Sequence, residues 1–159
     1  MDDIKKKLTD LGFRGEMEND LETLDLYSHD ASMFELDPEL IVFPKDAEDV
    51  ETLVGMVSAN KANNPKLSLT ARSAGTDMSG GAINDSIIVD FSKYFNKISE
   101  VTKTTAHAQP GVFYRDFEVA TLKHNALMPS YPASRDLCTI GGMVSNNSGG
   151  EKSLEYGKT

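Results

Sequence analysis

The chain has 159 residues, with 16 Lys plus Arg against 25 Asp plus Glu, for a formal net charge of −9. Hydrophobic and charged shares of 39% and 26% are those of a chain with a folded core, so wholesale disorder is excluded. The acidity excludes a generic nucleic-acid or anionic-membrane binder, because both need a basic footprint. It leaves room for one anionic ligand held locally by backbone amides.

Along the chain, residues 2 to 26 place apolar positions at helical spacing. Ile4, Lys7, Leu8 and Leu11 share a face, Gly12 and Gly15 mark a stop, and Leu21, Leu24 and Leu26 resume the pattern. Residues 1–36 are therefore expected to form a helical arm packed on the main body. LIVFP, 40 to 44, reads as a strand ended by proline. Asp46 caps a helix over 47–61, whose Val50, Leu53, Val54 and Val57 define an apolar face, and KANNP closes it. KLSLT, 66 to 70, alternates like a strand. SIIVDFS, 86 to 92, reads as a strand buried on both faces. Two short strands are expected within 97–109. Pro110 and Gly111 start a helix reaching about His124, with Val112, Tyr114, Phe117, Ala120 and Leu122 as its apolar surface. This order is α+β, a mixed sheet with covering helices. From residue 126 the composition turns to Pro, Ser, Asn and Gly, as in a tail or a second lobe.

The single cysteine, Cys138, allows no intrachain disulfide and no Cys-rich metal site, and it fits a reducing compartment. His29, His107 and His124 lie far apart, so no metal site is expected. No signal peptide and no span-length apolar run is visible, so a cytoplasmic protein without a transmembrane segment is expected.

Two segments carry clustered glycines. ARSAGTDMSGGAI, 71 to 83, lies between two strands. Either it is a plain connector, or its consecutive N–H groups converge into a nest for an anion, with Thr76 and Ser79 adding hydroxyls. It is neither a P-loop nor a dinucleotide fingerprint. CTIGGMVSNNSGG, 138 to 150, offers Thr139 as the cap of a helix with Gly141 and Gly142 in its first turn. Free N–H groups at such a start would make a second anion site, whereas accidental loop glycines are the plain alternative. Two glycines there cost roughly 1–2 kcal/mol of helix propensity against alanine. Together the two segments point to a diphosphate.

The run TARSAGTDMSGGAINDSIIVDFSKYFNKI, then AQPGV, then PASRDLCTIGGMVSNNSGGEKSLEYG, resembles the PCMH-type FAD-binding domain of the vanillyl-alcohol oxidase / para-cresol methylhydroxylase superfamily. Within it, the chain is most similar to the branch of FAD-linked glycolate oxidase subunits and D-lactate and D-2-hydroxyglutarate dehydrogenases. YSHDAS and FPKDAEDVETLV resemble the family's opening segment and first strand–helix unit. The resemblance implies that Ser73, Ala74, Gly75, Thr76 and Asp77 wrap the FAD pyrophosphate, with Ser79, Gly80 and Gly81 just after. It implies that Pro132, Thr139, Gly141 and Gly142 line the flavin and diphosphate from a second lobe, followed by Asn147 and Gly150 and by the Tyr156-Gly157 pair. Many members that attach FAD covalently carry a histidine where this chain has Thr76, so the resemblance implies non-covalent FAD.

The resemblance further implies residues 37–125 as a first lobe and 126–159 as the start of a second, C-terminally incomplete, as in a fragment or truncated product. On that reading residues 126–159 are loosely held, and the substrate-binding and catalytic residues lie beyond Thr159. For the complete protein it implies oxidation of a small D-2-hydroxy acid by hydride transfer to FAD, with a separate electron acceptor. The other readings are a non-catalytic degraded half-domain and an FAD-dependent reductase of a nucleotide-sugar precursor. Arg72 and Arg135 flank the two segments, as diphosphate partners or as solvated surface. His107 reads as one position of an alternating strand, His124 as a cation favoured at a helix C-terminus, and Cys138 as a small buried residue.

Overall fold

A computed structural model describes residues 1–159. α1 (Asp2–Asp10), β1 (Glu16–Glu18), α2 (Leu21–Tyr27), β2 (Leu40–Phe43) and α3 (Ala47–Asn60) lead into β3 (Leu69–Arg72) and β4 (Ile87–Asp90). β5 (Ile98–Val101), β6 (Ala106–Ala108), α4 (Tyr114–Leu122), α5 (Ile140–Ser145) and α6 (Ser153–Tyr156) follow. The expected α+β class, a mixed sheet with covering helices, is what the chain forms.

The main sheet has the order β1-β2-β4-β3. β2 and β3 both run parallel to β4, placing Ile41 and Thr70 on either side of Ile88. All residues of β2 and β4 are buried, which is why LIVF and IIVD show no polar alternation. On one face Leu40, Val42, Ile87 and Val89 pack with Leu53, Met56 and Val57 of α3, and with Leu8 and Phe13. On the other, Ile41, Phe43 and Ile88 meet Leu24, Tyr27 and Tyr94. Each fully buried aliphatic side chain contributes about 1.5–3 kcal/mol.

Four local readings change. Glu16–Glu18, read within the helical arm, is an edge strand antiparallel to β2. Leu8 and Phe13 belong to the sheet's own core rather than to an appended arm. The strand expected at 66–70 lies at Leu69–Arg72, because Leu67 turns into the core first and pairing with β4 sets the register. The buried face of α3 is Asp49, Leu53, Met56 and Val57, whereas Val54 is exposed. Asp46 caps α3 as expected, accepting from the Asp49 N–H. The buried Asp49 carboxylate in turn accepts the N–H groups of Arg14 and Lys45, both at 2.8 Å.

A second core holds Val112, Tyr114, Phe117, Tyr131, Cys138 and Met143, against which Ile98, Ala106 and Ala108 of the β5–β6 hairpin pack. The hairpin and α4 thus share a core with residues 126–159 rather than with the main sheet. The composition shift at 126 falls inside this cluster because Tyr131 and Cys138 are scattered among small polar residues. Residues 126–159 are held by that packing, by the Tyr114 hydroxyl donating to Met128 O at 2.6 Å, and by the Thr159 N–H donating to Ser148 O at 2.8 Å. No helix is long and apolar enough to cross a membrane.

Candidate functional site

β3 and β4 are parallel neighbours, so the chain must cross from the end of one to the start of the other. The glycine-bearing loop after Arg72 makes the first part of that crossing. It faces the start of α5 across a cleft of about 390 Å³. Ser73, Ala74, Gly75, Thr76, Asp77, Ser79 and Gly81 line one side, and Pro132, Thr139, Gly141 and Gly142 the other. The two segments singled out in the sequence, some sixty residues apart, are therefore walls of one space.

The loop wall has free donors. No group of the chain accepts the backbone N–H of Ser73, Ala74, Gly75, Thr76 or Asp77. Five consecutive amides beside the cleft are thus left without an acceptor in the chain. Gly75 makes the turn, at φ +65°. The Asp77 carboxylate folds back on its own loop, accepting from the N–H groups of Gly81 at 2.7 Å and Ser79 at 3.1 Å. These bonds, that from Gly81 foremost, hold its pKa below the usual carboxylate range. The Ser79 hydroxyl donates to the same carboxylate, so of the two hydroxyls expected to serve a ligand only that of Thr76 is uncommitted.

The α5 wall is built differently from expectation. Thr139 caps the helix, its Oγ1 accepting the Gly142 N–H at 3.3 Å. The Gly141 N–H goes to Pro110 O at 2.8 Å and the Ile140 N–H to Val112 O at 2.9 Å. The first-turn donors are therefore spent inside the chain, and this helix start is not a second anion cradle. Its glycine serves close approach instead: a Cβ on Gly141 would lie 2.5 Å from the Pro110 Cβ and 2.8 Å from its carbonyl oxygen.

Three expected residues lie off the cleft. Gly80 turns at φ +83° against the Phe34 ring, and Asn147 is exposed in the turn after α5 at φ +45°. Gly150 packs beneath Tyr131, whose carbonyl oxygen stands 2.1 Å from where a Cβ would be. Conversely, Phe91, Pro110, Ser134, Cys138, Met143 and Ser148 also line the cleft. Pro110 lies in AQPGV, and Cys138, Met143 and Ser148 lie in the second glycine segment, whereas Phe91 and Ser134 fall outside both glycine segments.

Of the flanking cations, Arg72 is half-buried under the loop, donating to the carbonyls of Tyr27 at 3.1 Å and Ala82 at 3.4 Å. Burial lowers its pKa. Arg135 points elsewhere, pairing with Glu118 at 2.5 Å and stacking on Tyr131. Cys138 is buried, and burial raises its thiol pKa. His107 and His124 are exposed and off the cleft.

The family described as FAD binding domain matches residues 38–159, more than half of the chain. The chain belongs to this family. FAD is the cofactor of the domain, and the PCMH-type resemblance read from the two glycine segments is shown. A D-2-hydroxyglutarate dehydrogenase of Pseudomonas putida is 30% identical over 96% of this chain and 15% of its own length. Glycolate oxidase subunit GlcD of Bacillus subtilis is 29% identical over 84% of this chain and 28% of its own. Among solved structures, an alkyldihydroxyacetonephosphate synthase superposes with a TM-score of 0.81 at 22% identity, covering 99% of this chain and 31% of that one. Physcomitrella patens BBE-like 1 gives 0.70 at 20%, covering 98% and 33%. At these identities the two structures establish the fold. The chain spans well under a third of the length of the P. putida and B. subtilis relatives.

Proposed function

We propose that this chain holds FAD non-covalently within a flavin-dependent oxidoreductase that oxidises a small D-2-hydroxy acid to the 2-oxo acid. The observation that carries the reading is the row of five unpartnered amides, Ser73 to Asp77, on a cleft whose other wall is Pro132 and the start of α5. Small side chains keep that wall open, and the amides suit the oxygens of a diphosphate without basic side chains. This fits an acidic chain.

Bound FAD supplies a hydride acceptor; the protein's part is to place and surround it. On this reading Ser73–Asp77 donate to the diphosphate through their N–H groups, and the Thr76 hydroxyl adds one more donor. Phe91, Pro110 and Met143 contribute apolar wall that excludes water. Thr139, Gly141 and Gly142 limit the cleft by close approach. Gly80, Asn147 and Gly150 shape the backbone around the site instead of touching the cofactor. Thr76 has no side-chain nucleophile suited to flavin attachment, hence the non-covalent assignment. No group of the chain is assigned as acid or base. The hydroxy-acid substrate class follows the similarity to the dehydrogenase and the glycolate oxidase subunit. A separate electron acceptor completes turnover, and the single buried cysteine supports a reducing, cytoplasmic setting.

The test is FAD loading followed by acid precipitation. All flavin is expected in the supernatant. Flavin retained in the pellet refutes the non-covalent assignment, and failure of millimolar FAD to perturb the Ser73–Asp77 amides refutes the cradle. In the protein as it occurs with its remaining length, D-2-hydroxyglutarate, D-lactate or glycolate should bleach the flavin without air. Bleaching by none of them refutes the substrate class.

A further inference from the structure

The amide row is fixed from behind by a segment that lies before the family match at residue 38. The Ala31 N–H donates to Gly75 O at 3.0 Å, and the Ala82 N–H to the Asp30 carboxylate at 3.4 Å. Arg72 reaches back to the same segment, donating to Tyr27 O and lying 4.9 Å from the centroid of the Tyr27 ring. Its Nη2 sits 2.7 Å from where a Cβ on Gly75 would be, so the guanidinium is the floor on which the turn rests. Tyr27 is held in its turn, its hydroxyl donating to the buried Asp90 carboxylate at 2.9 Å.

Peptide planarity converts these ties into a direction. The chain has no cis peptide bond, and in a trans peptide the C=O and the following N–H point oppositely. With Gly75 O held on Ala31, the Thr76 N–H is aimed away from residues 27–31, and Thr76 lines the cleft. We infer that the Tyr27–Ala31 strap and Arg72 are positioning elements of the cofactor site, setting the direction in which the central amide of the cradle donates. The inference rests on the FAD reading of the cleft. Arg72 acts here through its planar fork, which bridges two carbonyls and stacks on a ring, rather than as a point charge.

The experiment is amide-resolved NMR of the full chain titrated with FAD, for wild type, Arg72→Met and Arg72→Lys. In wild type the Thr76 amide is expected to be among the most shifted and to gain protection from solvent exchange. Both variants should bind about tenfold or more weakly, the scale of one misdirected charge-assisted hydrogen bond. Arg72→Lys binding like wild type would show that charge suffices and overturn the positioning role. Arg72→Met binding like wild type overturns it too. Should Arg72→Met not fold, the wild-type spectrum decides: neighbouring amides that respond while Thr76 does not overturn the inference and leave the FAD reading standing. No response at any cradle amide overturns both.

Discussion

Gly75→Val attacks the cradle at its turn. Gly75 sits at φ +65°, where a β-branched residue is a conformational outlier. The left-handed backbone alone costs about 1–2 kcal/mol without glycine. The added Cβ would also stand 2.7 Å from Arg72 Nη2 and 3.0 Å from Cζ. A free arginine would swing aside, but this one is tied to Tyr27 O and Ala82 O. Overpacking against it adds about 1–3 kcal/mol. The total, about 2–5 kcal/mol, corresponds to a fall in melting temperature of roughly 5–15 °C for a domain this size. If the loop instead shifts to relieve the strain, the N–H groups of Thr76 and Asp77 are redirected, and FAD affinity falls about tenfold or more. Thermal melting and FAD titration of the same preparation read both effects. Gly12→Val is the control: φ is +89° with nothing within 4 Å of the added Cβ, and Gly12 is off the cleft. It should carry the backbone cost and leave affinity alone. A Gly75→Val chain that melts and binds FAD like wild type refutes the argument, and one that tracks the control refutes the special role of the site.

Gly141→Ala should destabilise by about 1–3 kcal/mol, because its Cβ would overlap Pro110 and push α5 off the turn it bonds to; an unchanged melting temperature contradicts this. Asp49→Ala removes the acceptor of two N–H groups under the start of α3 and should cost about 2–4 kcal/mol in a urea melt, against a loss below about 0.5 if the bonds are incidental. Burial holds the Cys138 thiol above its ordinary pKa, so the folded chain keeps a proton that the unfolded chain releases. Its contribution to stability is intact below the ordinary thiol pKa and is lost as pH rises through the folded one. Cys138→Ala should flatten that alkaline decline, and iodoacetamide should react with native Cys138 far more slowly than with the denatured chain; equal rates would contradict the burial.

What the sequence disclosed, and what it withheld, divides along one physical line. β2 and β4 were legible because a strand covered on both faces is written in consecutive apolar residues, LIVF and IIVD. α3 was legible as a helix through Asp46, but its facing was not, since Met56 and the polar Asp49 turn inward where Val54 does not. Asp49 is buried to accept the N–H groups of Arg14 and Lys45, a demand no hydrophobic period encodes. β1 is a strand because β2 has an open edge, not because Glu-Met-Glu favours one. The site repeats the pattern. Both glycine segments announced a backbone that something approaches closely, and both line the cleft. Composition cannot tell which amides remain free. That depends on partners distant in sequence: the Pro110 and Val112 carbonyls consume the donors of α5, whereas the Ala31 N–H donates to Gly75 O and so turns the uncommitted Thr76 N–H away from residues 27–31. Two loops that look alike in sequence thus become unlike walls, one closed by its own chain and one able to donate to a guest.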